Sequence, residues 1–183
     1  HIHIMTIMIG GGDIYSDDHV TLSGDGARFD ADTAYLGKNS QTIDYNIVAD
    51  HFGKKTESLI TVNGALTDSA KKVFRGTIDF KKGSADSVGS ENETVLMLGD
   101  DVVNKTVPLI LCAEENVEGT HGATIGELDA DTMFYFESRG IDRETAEKIM
   151  AYAAVERLIH MAEDSEFAAE VEKDMGIKTD TEE

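Results

Sequence analysis

From Ile4 to about Val117, no apolar spacing of three or four residues survives beyond a turn or two. Short β-branched and apolar runs alternate instead with Gly, Asn, Asp and Ser. That pattern excludes a helical bundle and predicts an all-β region. The expected strands are Ile4–Ile9, His19–Leu22, Ala34–Leu36, Thr42–Ala49, Glu57–Val62, Lys72–Phe80, Thr94–Leu98 and Val107–Ala113. Glycines at 24, 37, 53, 64, 76, 89 and 99 recur roughly every ten to sixteen residues, the beat of coils that turn at similar places without a strict repeat. A solenoid and a β-sandwich fit such spacing equally well. Pro108, the only proline, falls near the start of its strand, where proline is tolerated.

The pattern changes after Thr120. His121-Gly122-Ala123-Thr124-Ile125-Gly126 alternates small and β-branched residues as a strand closely approached by a neighbour would. A short helix follows, with Asp129 or Asp131 as N-cap, Met133, Phe134 and Phe136 as its apolar face and Gly140 as its left-handed stop. From Asp142 to about Ala162, Ala146, Ile149, Met150, Ala153, Ala154, Leu158, Ile159 and Met161 keep helical spacing, so an amphipathic helix is expected. A further helix is expected over Ser165–Met175, stopping at Gly176, with Lys178–Glu183 as a polar tail. Arg139 reads as structural, complementing the dipole at its helix C-terminus.

Thirty-six acidic against sixteen basic residues leave a formal charge of −20, which repels phosphate backbones and anionic lipid heads. Nucleic acid and membrane surfaces are therefore poor partners, and the acidity reads as serving solubility or a salt-rich or acidic-proteome host. A lone cysteine, Cys112, cannot form an internal disulfide, and the longest apolar run is far too short to span a bilayer. A cytoplasmic location is expected. Opening on histidine rather than methionine suits a fragment or processed chain with further residues upstream. Gly10–Asp13 and Asp25–Asp32 lack the period of repeated calcium turns, and no phosphate-binding loop, nucleophile elbow or His-Glu-x-x-His helix occurs.

The order HGATIGELD, MFYFESRGID and then an alanine-rich amphipathic helix resembles the carboxy-terminal core of the SufB/SufD family of iron–sulfur cluster assembly scaffolds. The resemblance is carried by Gly76–Ile159 and is fainter over Val20–Val73. It implies a right-handed parallel β-helix over residues 1–128 and a small carboxy-terminal α-helical segment over residues 129–183. It also implies a non-enzymatic scaffold subunit, a SufB-type partner meeting the last strands edge to edge, and a SufC-type ABC ATPase docking on the helices. Alone, the chain is expected to pair with a second copy through the same free edge.

Site residues follow from the resemblance position by position. His121 stands where SufD-type members carry a histidine implicated in holding the nascent cluster, and a neutral imidazole is a good iron ligand. An iron–sulfur cluster is thus implied as a transient species shared with the partner, or none in the isolated chain. Glu118 is a weaker candidate ligand, with Glu114, Glu115 and Glu127 behind it. His121, Gly122 and Thr124 are the expected interface residues, and Asp142, Arg143, Ala146 and Ile149 the expected ATPase-docking residues.

SufB-type members place a sulfur-accepting cysteine where this chain has Glu93 and a glutamate where it has Gly122; a carboxylate cannot carry persulfide sulfur, which points to the SufD-like role. Many SufD-like members have a cysteine where this chain has Gly119. Cys112 lies off those positions and reads as a small buried hydrophobe. Two other readings are a degenerate paralogue that keeps only the fold and the dimer edge, and a polysaccharide-acting β-helix using Asp17, Asp18, Asp30 and Asp32 as acid and base.

Overall fold

A computed structural model describes residues 1–174. Expectations for Met175, Gly176 and 178–183 fall outside the described residues. Strands β1 (Ile2–Met8), β3 (Arg28–Gly37), β5 (Glu57–Leu66), β7 (Ser87–Met97) and β9 (Val117–Glu127) form one parallel sheet in that order. Strands β2 (Ile14–Leu22), β4 (Thr42–His51), β6 (Lys71–Phe80) and β8 (Val103–Cys112) form the other. Every pairing is parallel, and the chain alternates between the two sheets, so the molecule is a β-solenoid of about four turns rather than a sandwich.

Successive coils stack through repeated contacts 29 residues apart, such as the Asn39 amide donating to the Asp68 carboxylate at 2.8 Å. Corners are built largely on Asx chemistry. Asn39, Asp68 and Asp86 adopt left-handed backbone angles of 55°, 56° and 63°, which Asn and Asp tolerate better than most residues. The Asp25 carboxylate likewise accepts the Lys54 amide at 2.9 Å, and Asp13 accepts the Thr42 amide at 2.7 Å. Both aspartates therefore tie one coil to the next.

The glycine beat has a different meaning from the one expected. Gly64, Gly76 and Gly89 lie in mid-strand facing the lumen, where a Cβ would overlap Tyr35, Glu91 and Ile78 respectively. They make room for large side chains across a narrow solenoid.

Several strands are longer than expected: β2 begins at Ile14, β3 at Arg28 and β7 at Ser87. Charged residues such as Asp17, Asp30 and Glu91 break the apolar pattern there. Stacking supplies partners for the outward ones: Asp17 with Asn46, and Asp30 with Arg28 and His1. Pro108 proves to be mid-strand, not near a strand start, and is accommodated because β8 is an edge strand with a single neighbour.

Phe29, Ile43, Ile47, Ile60, Leu66, Phe74, Ile78 and Phe80 fill the lumen. The second core lies outside. Helix α2 (Arg143–Met161) lays Ala151, Val155, Leu158 and Ile159 over Ala34, Leu36, Ala65 and Leu98 on the outer face of the five-stranded sheet. That double cover is why the end of β3 is buried on both faces, from Thr33 through Gly37.

Asp129 caps α1 (Ala130–Glu137) by accepting the Thr132 amide at 2.7 Å, and Asp142 caps α2 by accepting the Thr145 amide at 2.8 Å. Gly140, with φ of 78°, ends the turn between them. Met133 alone of the expected α1 face is buried; Phe134 is 72% exposed, because only one side of this short helix meets α2. Along α2, Ile149 is 44% exposed and Ala153 is exposed, while Ala151 and Val155 point inward in their place. A third helix, α3, spans Ser165–Asp174, with Val171 packed on the second core. Among the described residues no helix is long and apolar enough to cross a membrane.

Candidate functional site

The last coil, β8 and β9, has no described element stacked upon it, so its inward-facing side chains stand at an open mouth. In a parallel sheet, residues in register share a face. Ser87, Glu91, Glu93 and Val95 of β7 are buried in the lumen, so their register partners Val117, His121, Ala123 and Ile125 of β9 face the same way. Glycine geometry agrees. A Cβ on Gly119 would lie 2.8 Å from Ile110 Cγ2 and 3.1 Å from Phe80 Cε2 inside the lumen, whereas one on Gly122 would meet Asn92 outside. His121 therefore sits at the lumen mouth, exposed because no described element covers the coil.

Expected neighbours separate around it. Glu118 falls on the opposite face of β9 and does not join His121, because three residues along a strand reverse the side-chain direction. Gly122 and Thr124 also face outward on the same edge strand. Glu114 is tied up at a corner, where the amides of Gly83 and Glu115 donate to its carboxylate and hold it below the usual range. Among the described residues, no three His, Cys, Asp or Glu side chains converge as a metal cage. His121 is thus not part of a converging ligand set among the described residues.

Cys112 is exposed at the same mouth, not buried as expected, because it ends the last inward row of β8 in register with Phe80. At Gly119 the approach of Ile110 leaves little room for a side chain. The four aspartates of the polysaccharide reading do not assemble. Asp17 and Asp18 belong to β2, while Asp30 is held by Arg28 and His1 and Asp32 by His3 and Arg157 on the other sheet.

Directly below the mouth lies a buried polar cluster that the sequence pattern does not reveal. The Lys72 ammonium donates to the Glu93 carboxylate and, at 3.2 Å, to Thr106, whose hydroxyl donates to Glu93 in turn. Lys72 also lies 5.7 Å from the Tyr35 ring centroid and 5.6 Å from that of Phe74. Its pKa is lowered by burial, an effect opposed by Glu93. Glu91, 2% exposed, packs on Gly76 outside these hydrogen bonds. Burial, then the Glu93 charge, push its carboxyl up to about 7, against the pull of Lys72. The only sequence signal was the Glu-x-Glu spacing on β7 together with glycine at 76.

His51 shows what a structural histidine looks like in this fold. It is fully buried, shares hydrogen bonds of 2.7 Å with Thr56 and 2.9 Å with Ser58, and burial lowers its pKa to about 4. His121 has none of that enclosure.

Charge thins out along β8. In a chain of net charge −20, Lys105 is the one charged residue of β8, and its outward Val103, Val107, Leu109 and Leu111 are exposed. Such depletion of charge is the compositional mark of an interface core. On α2, Asp142, Arg143 and Ile149 are exposed, but Ala146 is fully buried and offers a partner no surface. Arg139 lies over the Tyr135 ring at 4.4 Å, a local structural contact.

Residues 1–154 match the family described as the SufBD core domain of SUF-system FeS cluster assembly. Among its relatives are the iron–sulfur cluster assembly proteins SufD of Bacillus subtilis, 32% identical over 79% of this chain and 33% of that protein, and SufD of Escherichia coli, 22% identical over 87% and 38%. A chloroplastic SufBD family protein of Arabidopsis thaliana is 28% identical over 87% of this chain and 28% of its own length. The chain thus spans about a third of the length of the curated relatives it matches. A parallel solenoid closed by short helices, matched along most of its length by that family and by SufD proteins, makes this chain a SufD-like member of the SufB/SufD family of iron–sulfur cluster assembly proteins.

Proposed function

We propose that this chain is a non-enzymatic, cytoplasmic scaffold subunit whose open β8–β9 end meets the matching end of a SufB-type subunit. His121 then contributes one ligand to a nascent iron–sulfur cluster at the joint. The observation that carries this reading is the coincidence of three features at one end: unpaired strand edges, a β8 with Lys105 as its one charged residue, and an unenclosed imidazole of β9 at the lumen mouth. Free edges supply main-chain hydrogen bonds to a partner strand, and the charge-poor β8 gives two acidic proteins a place to approach. In the absence of that partner, the same end pairs two copies of the chain.

The exposed side of α2, with Asp142, Arg143 and Ile149, is available to a SufC-type ATPase, while its buried side transmits load to the five-stranded sheet through Leu158 and Ile159. Most of the ligands for a cluster come from the partner, since Cys112 is the single thiol of this sequence.

The test is anaerobic reconstitution of the complex with iron and sulfide, read by visible absorbance beside a melting curve. His121→Ala should keep its melting temperature, since an exposed imidazole adds little packing, and lose cluster absorbance. Full absorbance in the mutant would remove His121 from the ligand set. A second reading is a paralogue that keeps the fold and the edge without handling metal, since no ligand cage converges among the described residues. Complex formation with no His121-dependent cluster would support that one.

A further inference from the structure

We infer that the lumen beneath the mouth binds an ordered water molecule, held by the Lys72 ammonium, the Asn104 side-chain carbonyl and the Tyr35 hydroxyl. The inference depends neither on His121 nor on any metal. Side chains from both sheets meet here: Tyr35 of β3, Lys72 of β6, Glu93 of β7, and Asn104 and Thr106 of β8. Among the described residues, the Tyr35 hydroxyl and Asn104 Oδ1 are buried and make no hydrogen bond. Lys72 has a donor left over as well. An ammonium carries three N–H groups, and Lys72 directs one to Glu93 and one, at 3.2 Å, to Thr106, whose own hydroxyl is engaged with Glu93. Both orphaned groups neighbour this lysine: the Tyr35 ring centroid lies 5.7 Å from its Nζ, and Asn104 is its register partner on the inner face of the four-stranded sheet.

The three groups are chemically complementary but do not satisfy one another directly. Lys72 can only donate, Asn104 Oδ1 can only accept, and a phenol can do either. Burial, and then the Glu93 charge, push the Tyr35 phenol well above its ordinary range, so its hydroxyl keeps its proton. One water molecule, with two donors and two lone pairs, serves all three, and buried waters typically make about three hydrogen bonds to polar groups that lack other partners. The ligand is neutral, because a cation is repelled by Lys72 and an anion by Glu93 and Glu91. With Tyr35 and Lys72 each 1% exposed, it is also small. Short side chains leave space for it: Gly64 separates Tyr35 from Val95 in one inward column, and Ala123 follows Glu93 in the next. Such a water completes the hydrogen bonding of a buried ammonium, the condition under which an ion pair is tolerated away from solvent.

The experiment compares the full chain with two variants. Oxygen-17 relaxation dispersion counts water molecules that stay bound for longer than the protein takes to tumble, and it is blind to exchange of hydroxyl and ammonium protons. Asn104→Leu keeps a branched side chain without the acceptor, and Tyr35→Phe removes the hydroxyl alone. Expected are a dispersion amplitude lower by about one water in Asn104→Leu and a melting temperature lower by about 2–4 °C in Tyr35→Phe, which loses one hydrogen bond. Unchanged amplitude in Asn104→Leu would overturn the site. So would a Tyr35→Phe protein that melts at or above the temperature of the unmodified chain, since that is how a hydroxyl without any partner behaves. If Asn104→Leu does not fold, the unmodified chain decides: cross-relaxation from water to the Asn104 side-chain amide protons, with NOE and ROE of opposite sign, supports the bound water, and its absence refutes it.

Discussion

Replacing Lys72 by methionine tests how the solenoid tolerates charge in its lumen. Lys72 and Glu93 are each about 1% exposed, and among the described residues their hydroxyl partner is Thr106. Methionine keeps the length and apolar stem of the lysine, so the packing against Tyr35 and Phe74 is largely preserved. What goes is the cation. Glu93 would then be a buried carboxylate with a single hydroxyl donor and Glu91 beside it, and stranding one member of a buried pair typically costs about 3–5 kcal/mol.

Against a total stability of about 5–15 kcal/mol for a domain, that is a large fraction, equivalent to roughly 6–20 °C in melting temperature at this chain length. The double variant K72M/E93L removes both charges and leaves only the Thr106 hydroxyl without its acceptor. Its stability should return to within about 2 kcal/mol of the unmodified chain. Urea unfolding at pH 7.5, fitted for midpoint and slope, reads both variants without the screening that guanidinium would add. A single variant costing under about 1 kcal/mol at unchanged slope, or a double variant as unstable as the single, would refute the argument that the pair is electrostatically interdependent.

Acid should weaken the fold through His51. Its folded pKa of about 4 lies below the ordinary 6.5, so the stability it contributes is complete above pH 6.5 and is lost as pH falls toward 4, about 3 kcal/mol in all. His51→Gln should flatten that limb of the stability curve between pH 7 and 4.5, and parallel curves would show that the ring is not held neutral. For the helix cover, Leu158→Ala should cost about 2–5 kcal/mol, because Leu158 is buried against the five-stranded sheet, whereas Ile149→Ala should stay within about 0.5 kcal/mol. Similar losses in the two urea curves would mean that α2 packs through a different face.

The amino-acid sequence by itself determined the class of the fold and its order: a β region with no helical period, then a helix capped by Asp129 or Asp131, a glycine stop at 140 and a longer helix opening at Asp142. Those features are local, set by side-chain period and by hydrogen bonds between residues three apart, so they can be read from neighbouring positions. The motif around His121 likewise carried the family in a single stretch of chain. Which sheet a strand joined, and which way a side chain faced, was not local. A one-residue change of register reverses every face, and the register came from stacking of coils about thirty residues apart. That stacking alone put His121 inward and Glu118 outward, turned Gly76 from a turn residue into space for Glu91, and brought Lys72 across the lumen to Glu93. It also exposed Cys112, which composition alone would bury, because no described element stacks on β8 and β9.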